Sequence, residues 1–523
     1  NDFSNLDLSP ATFDSVRMGY IFENLIGRFF QNVDAGQFYT GRDIIRMLVS
    51  VLTAEGCDDI FEDSKVITVL DQAAGTGGML TTAYEHLHAL NPSALIRLFG
   101  QELMPVSYAV GLAEMLIKEQ NAENFVRCDT LKEDRFPNRK MRFCLENPPF
   151  GTPWGGKKAK SGQEKAVADE YKKGFDGRWG AGLPGTGDAQ LLFVQSAINK
   201  LDDNVGRAAI IENGSPLFAG GVSSGESQVR RWLLENDLLE AIIAMPTDMF
   251  YNTGIATYAW ILSKNKRPER RGKIQFIDAT NIFHPLRKSV GSKRREFTAE
   301  DRDRIVHLYA NFEENELSQI HRNTEFIYRE YAVMQPLQRS YGITAERLQN
   351  LESKDKKNEF TPVIAFLRDH ETDTKYLSPE AFKPFITEVL APLNLTQKDI
   401  EFVMDGLSTM DKEAEIQRDK KGNILYDSET KDTEDVCIEE NIEDYMAREV
   451  LPFVPDAKSF FEENLGKKKP VIKTGAEIPF TRYFYKYEAP RPSEDLAKEF
   501  VDLEKSVSER VAKLFGIGGD GNA

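Results

Sequence analysis

The sequence predicts an α/β protein: a mostly parallel sheet covered by helices on both faces, with helices ahead of it and a mostly helical C-terminal region. Three observations carry this. Between residues 64 and 280, short β-rich runs alternate with helical stretches, namely Val66 to Leu70, Ala94 to Phe99, Phe125 to Cys128, Met141 to Leu145, Arg207 to Ile211, Leu239 to Ala244, Thr257 to Leu262 and Ile274 to Ile277. Several runs are continuously apolar, the pattern of strands buried on both faces. Finally, 523 residues, 41% of them apolar, give room for roughly two to four domains and at least one large core.

Taken in order, residues 1–56 read as a helical segment, with Ser9-Pro10 as a cap and Phe13, Val16, Tyr20, Leu25 and Phe29 recurring at near-helical spacing. Residues 57–298 hold the sheet. Within them, 151–187 is aperiodic, rich in Gly and Lys, and carries Trp154 and Trp179; a loop this long is expected to be functional or disordered. Residues 264–296 are the most basic stretch, with eleven Lys/Arg against three acids. Residues 299–490 form the mostly helical region, where 399–444 carries sixteen acids against five bases and reads as a solvated insertion with a turn at Asp419–Asn423. Residues 491–523 contain a capped helix whose Leu496, Phe500, Leu503, Val507, Val511 and Leu514 line one face, suited to a partner helix.

Composition narrows the function. A formal charge of −17 excludes an all-over basic nucleic-acid coat, so any DNA contact is local or shared with a partner. Local contacts are expected from Lys157, Lys158, Lys160, Lys172, Lys173 and Arg178, and from the 264–295 run. Cys57, Cys128, Cys144 and Cys437 lie far apart without a C-x-x-C, against a disulfide framework or a zinc ribbon. Six histidines without a metal-ligand cluster predict no metal site. No run approaches the length of a membrane span, and the expected location is the cytoplasm.

Chemistry concentrates at the ends of the first four predicted strands. The stretch from Asp71 through Gln72, Ala73, Ala74, Gly75, Thr76, Gly77 and Gly78 follows a buried strand and opens a helix; its glycines let a ligand approach the backbone. It lacks the full dinucleotide spacing. Glu102 ends the next strand, placed to accept hydrogen bonds from a ribose diol, and Asp129 follows the third. Three acids at successive strand ends after a glycine turn describe a nucleoside pocket. After the fourth strand comes Asn147-Pro148-Pro149-Phe150, where two prolines fix the backbone so that carbonyls and the Asn147 amide converge beside an exposed ring. That arrangement suits a planar amino group.

With these pieces the sequence resembles the S-adenosylmethionine-dependent amino-methyltransferases, and Asn147 to Phe150 matches their N-P-P-(F/Y) motif. Gly36 to Asp43, including Gln37, Phe38, Tyr39, Thr40, Gly41 and Arg42, resembles the stretch that contacts the methionine part of the cofactor; Glu102 and Asp129 resemble the acids beside its ribose and adenine. Gly187 to Gln190, Asn213 to Phe218, Met245 to Gly254 and Glu477 to Lys486 extend the likeness, over nearly the whole chain, to the modification subunits of type I restriction-modification systems. The resemblance implies a Rossmann-like methyltransferase sheet, a shortened N-terminal helical domain, and transfer of a methyl group to the N6 of a flipped adenine in double-stranded DNA. It also implies a specificity subunit, a restriction subunit and two modification subunits per specificity subunit. Gly41 and Gln72 depart from the prolines usual in the family, which loosens two turns near the cofactor and costs up to about 1 kcal/mol for Gly41.

Two other readings stay open: a protein-glutamine or RNA amino-methyltransferase, since amides and exocyclic amines use the same kind of pocket, and a weakly active cofactor-binding scaffold. Cytosine C5 methylation requires a Pro-Cys loop, which the chain lacks. Gly151 to Lys158 approaches a P-loop, but Lys158 stands where the magnesium-holding hydroxyl belongs.

Overall fold

The computed structural model describes residues 40–467, 469–485 and 492–515. The helix expected from Ser9-Pro10, and the site residues Gln37, Phe38 and Tyr39, lie outside the described residues.

All eight sequence runs become strands: β1 (Val66–Asp71), β2 (Leu95–Glu102), β3 (Phe125–Arg127), β4 (Phe143–Glu146), β5 (Arg207–Asn213), β6 (Leu239–Met245), β7 (Thr257–Ser263) and β8 (Lys273–Asp278). After them come a two-stranded ribbon, β9 (His284–Val290) with β10 (Lys293–Glu296), and an edge strand, β11 (Ser318–Arg322). The main sheet runs β11-β8-β6-β7-β5-β4-β1-β2-β3. Only β7 and β11 run antiparallel to their neighbours. From β1 the chain steps outward to β2 and β3, then returns to place β4 on the other side of β1. The reversal opens a crevice at the carboxyl ends of β1 and β4, where open α/β sheets bind ligands.

One face of the sheet is covered by helix Arg42–Thr53, which packs against helices Gly78–Leu90 and Ala299–Asn311. Ile44, Met47, Leu48, Val51 and Leu52 on the first helix are fully buried. Past its end, Glu55 accepts hydrogen bonds from Arg267 Nη1 at 2.9 Å and Arg270 Nε at 3.0 Å. Nearby, Arg207 Nη2 meets Glu240 Oε1 at 2.8 Å and Tyr309 Oη. Cutting one partner out of such a buried cluster costs about 3–5 kcal/mol.

Several expectations are corrected. The sheet unit does not end at 298: Ile305 and Tyr309 of the following helix sit in its core, and β11 extends the sheet to Arg322. Strand β11 (Ser-Gln-Ile-His-Arg) is nearly all polar because backbone pairing with β8 at an edge holds it. The C-terminal region is mostly helical, as expected, with short paired strands beside the helices. Helices Ala345–Lys354, Thr361–Arg368, Pro379–Leu390 and Gln397–Gly406 share a core of Leu348, Leu351, Leu367, Phe382, Ile386 and Val403. Beside them, β12 (Ile327–Met334) pairs with β15 (Asp432–Cys437), β16 (Lys458–Phe460) and β17 (Thr474–Ala476), while β13 (Arg339–Tyr341) pairs with β14 (Ser408–Met410).

The acidic stretch is therefore a folded element. Asp427 takes two bonds from Arg339, each 2.8 Å, and Val436 is buried in β15. The Asp419–Asn423 turn forms as expected, with Asn423 N donating to Asp419 Oδ1 at 2.9 Å and Gly422 at φ +86. The chain divides at Ile478/Pro479 rather than 490/491. In the second unit, helix Ser493–Phe515 forms, and Leu496, Phe500, Leu503, Val507, Val511 and Leu514 are all exposed. Among the described residues no helix is long and apolar enough to cross a membrane.

Candidate active site

Each of the first four strands places a sequence-predicted site residue at or just past its carboxyl end. Asp71 is the last residue of β1 and Glu102 the last of β2, Asp129 lies two residues past β3, and Asn147 follows β4 directly. They converge on a cavity of about 380 Å³ whose wall includes Thr40, Asp71, Ala73, Ala74, Gly75, Thr76, Gly78, Glu102, Asp129, Asn147 and Pro149.

The glycine turn is held from within. Ala73 N donates to Asp71 Oδ1 at 2.9 Å, and Gly75 N to Glu102 Oε2 at 2.8 Å. Gly75 and Gly77 take φ of +54 and +79, the left-handed region that a Cβ disfavours. At Gly77 a Cβ would also lie 3.1 Å from Met115 Cε. Gly77 itself is absent from the cavity wall and shapes it indirectly.

Acidic side chains line the pocket, and burial acts on them. Burial, reinforced by the Glu146 and Glu102 charges, pushes the Asp71 carboxyl well above the usual range. Glu102 is raised by burial, against the opposing pull of backbone N–H groups from Met104, Gly75 and Leu103. Behind the wall, burial pushes Glu146 up to about 8, where it accepts from Cys144 Sγ at 2.9 Å. Burial raises Cys128 to about 12 and lifts Cys57 and Cys144 as well, so none of these three is a ready thiolate nucleophile.

Also in the wall, Asn147 Nδ2 donates to Thr40 Oγ1 at 2.8 Å. Asn147 is nine-tenths buried, and among the described residues nothing donates to its Oδ1. A fixed amide thus presents one bare acceptor. Phe150 is half-buried against the main core rather than exposed, and neither it nor Pro148 belongs to the cavity wall. Gly41 and Arg42 also stand outside it: Gly41 caps the helix, and Arg42 Nη1 lies 3.7 Å from Glu85. Gly41 has φ −63, which proline would match, but a Cβ there would lie 2.4 Å from Asp43 Oδ1 and 2.7 Å from Lys293 Nζ. The Asp43–Lys293 ion pair, 2.7 Å long, thus fills the space a side chain at 41 would need.

Sequence reasoning missed part of the wall. Gln163 lies on helix Gln163–Tyr171 inside the segment read as aperiodic, and its Nε2 donates to Asp129 Oδ2 at 2.9 Å. Gly162, at φ +80 before that helix, was the available signal. The wall also includes Met104, Ser107, Leu131, Thr152, Lys160 and Phe193, with Gln72. The 151–187 segment is ordered by Trp154 and Trp179, both buried with Leu131, Val167 and Leu192. Three of its seven cations are committed: Arg178 is buried, with Nη1 donating to Thr130 O at 2.6 Å, while Lys172 pairs with Asp169 and Lys173 with Glu170. At the segment's end, Gln190 bridges Asp188 (2.6 Å) and the Asn213 backbone (3.0 Å), joining two of the sequence signatures.

Comparison with known proteins agrees with this geometry. The chain is 26% identical over 322 residues to the type I restriction enzyme MjaIX methylase subunit of Methanocaldococcus jannaschii, covering 60% of this chain and 52% of that protein. It is 27% identical over 294 residues to the HindI methylase subunit of Haemophilus influenzae, covering 55% and 59%. The chain thus spans a little over half the length of these curated relatives. Among solved structures, the type I restriction-modification methyltransferase subunit from Streptococcus thermophilus superposes with TM-score 0.52 at 25% identity, over 62% of this chain and 63% of that one. The N-6 DNA methylase profile matches residues 14–339, which take in the whole sheet, the cavity and Asn147 to Phe150: the chain belongs to the N-6 DNA methylase family.

Proposed function

We propose that this chain is the modification subunit of a type I restriction-modification complex, a site-specific DNA methyltransferase that moves a methyl group from S-adenosylmethionine to the N6 of an extruded adenine. The observation that carries the reading is the bare, buried Oδ1 of Asn147, an amide held through its Nδ2 by Thr40 in the wall of an acid-lined cavity. The donor set fits the cofactor. A ligand with an ammonium, a sulfonium and a ribose diol meets Asp71, Glu102 and Asp129 across a glycine turn with open backbone. When bound, S-adenosylmethionine supplies an electrophilic methyl group.

The chain's residues prepare the acceptor. The lone pair of adenine N6 is delocalised into its ring. An N6–H donated to Asn147 Oδ1, and a second to the Pro148 carbonyl, draw the nitrogen toward a tetrahedral shape and aim its lone pair into the cavity. Positioning and electrostatic complementarity suffice, with no covalent enzyme intermediate. A base inside a duplex cannot reach this notch, so it must leave the stack at a cost of a few kcal/mol, offset in part by roughly 1–3 kcal/mol from stacking on the Phe150 ring.

In this reading the specificity subunit supplies sequence recognition, the restriction subunit supplies cleavage, and two copies of this chain join each specificity subunit. The exposed stripe of helix Ser493–Phe515 is suited to helix pairing with the specificity subunit. The test presents tritiated S-adenosylmethionine with unmodified duplex DNA, RNA and protein acceptors, with and without the specificity subunit. Label in DNA supports the proposal, and label confined to RNA or to protein glutamine overturns it.

A further inference from the structure

The basic run of residues 264–296 is sorted by the fold into two parts. Its first half is consumed internally. Lys266 Nζ pairs with Asp237 at 2.6 Å, Arg267 and Arg270 converge on Glu55, and Lys264 reaches Asp203 at 3.3 Å. Arg271 Nε donates to the Lys266 carbonyl, and Lys273 lies over the Phe312 ring. These cations hold the protein together.

The second half is a ribbon. From Ala279 to Arg295 the sequence holds Arg287, Lys288, Lys293, Arg294 and Arg295 and no acid, in a chain whose net charge is −17. Strands β9 and β10 join through Gly291, at φ +61, and Ser292. Arg287, Lys288 and Arg294 are exposed, and no acidic partner for them is found among the described residues.

The ribbon is also tied to the site. Lys293 is buried and pairs with Asp43 Oδ1 at 2.7 Å, while Phe297 N donates to Asp43 Oδ2 at 3.0 Å. Asp43 lies three residues from Thr40, the anchor of Asn147. A second clamp comes from the loop after β6, where the backbone carbonyl of Asp248, at φ +59, accepts from Arg294 N at 2.9 Å and Arg295 N at 3.3 Å. Ser292 N donates to the Tyr251 carbonyl at 2.7 Å. The ribbon leaves the carboxyl end of β8, which runs parallel to the strands that deliver Asp71 and Asn147, so it rises on the same edge of the sheet.

We propose that the β9–β10 ribbon grips the phosphate backbone of duplex DNA beside the adenine held at Asn147. This rests on the methyltransferase reading and adds a second point of contact, one that positions the duplex without reading its sequence. A two-stranded ribbon fits the width of a major groove, and its cations sit where the rest of an acidic chain does not compete for them. Asp43 then links the two contacts, paired with the ribbon and three residues along the chain from Thr40.

The test uses the full chain carrying Arg287→Gln, Lys288→Gln and Arg294→Gln together, leaving Lys293 and Asp43 intact. Binding of a fluorescent random-sequence duplex is titrated against salt. The dependence of log affinity on log salt is expected to flatten by about 0.9 per cation removed, about 2.7 in all, with affinity at low salt falling roughly tenfold or more. Cofactor affinity, read by calorimetry, stays within about twofold and reports an intact fold. An unchanged salt slope overturns the inference, as does failure of the unaltered chain to bind the duplex. So does a larger loss for RNA of the same sequence, or a loss confined to association with the specificity subunit. If the unaltered chain methylates DNA and the slope is unchanged, only the ribbon assignment fails. If the unaltered chain methylates no DNA even with the specificity subunit, the underlying reading fails whatever the ribbon does.

Discussion

Among the described residues the Asn147 carboxamide has one hydrogen-bond partner, the Thr40 hydroxyl, which accepts its Nδ2 hydrogen at 2.8 Å and leaves Oδ1 buried and without a donor. Thr40 stands 107 residues earlier in the chain, just ahead of the helix that covers the sheet. The position of the Asn147 amide thus depends on docking of that helix.

Replacing Thr40 with Val should leave the amide without its anchor. We expect kcat to fall roughly tenfold to a hundredfold, the scale of a small misplacement of a reacting group. Thr40→Ser, which keeps the hydroxyl, should recover most of the rate. Steady-state kinetics on duplex DNA check both, and a Val variant with full activity contradicts the arrangement.

Gly77→Ala places a Cβ at φ +79 and 3.1 Å from Met115 Cε. The expected loss of stability is about 1–2 kcal/mol in urea unfolding. Calorimetry should show weaker cofactor binding as well, because the turn that frames the pocket must shift.

Gln72 lines the cavity and is almost wholly buried, yet both polar atoms of its amide lack partners among the described residues. Gln72→Leu should stabilise the ligand-free chain by about 1 kcal/mol, since it removes a buried polar group that is paid for by no protein contact. It should also weaken cofactor binding. Tighter binding in the Leu variant would contradict a polar role for this wall.

Glu146 sets a pH dependence of stability. Its pKa in the folded chain is pushed up to about 8 by burial, above its value in the unfolded chain. A carboxyl shifted this way favours folding while protonated. The contribution is whole below the ordinary Glu range of about 4.3 and is lost as pH rises through about 8. Glu146→Gln, which stays neutral, should therefore be more stable than the unaltered chain at pH 8 by about 1–3 kcal/mol, with the gap closing toward pH 5. Thermal unfolding across that range checks the sign.

Much of the site was legible because its residues sit where a strand ends and a loop begins. Asp71, Glu102, Asp129 and Asn147 each follow an apolar run that could only be a strand, and the glycine turn marks the one crevice a parallel sheet offers. Partners across the fold were not legible. Nothing near Thr40 in sequence reveals that it meets Asn147, and nothing near Asp129 reveals Gln163. Charge misled for a related reason. Composition could not separate Arg270, spent on Glu55, from Arg287, which stays exposed. The acidic stretch read as loose because its buried pair, Arg339 with Asp427, joins residues 88 apart. Strand β11 hid for want of apolar residues, since an edge strand needs only a neighbour's backbone.

The most direct measurement is nucleoside mass spectrometry of duplex DNA incubated with S-adenosylmethionine, the specificity subunit, and either the unaltered chain or Asn147→Ala. The account predicts N6-methyladenine from the first and none from the second, with calorimetry showing similar cofactor affinity for both. Equal N6-methyladenine from the Ala variant, or a methyl group found on cytosine instead, would contradict it.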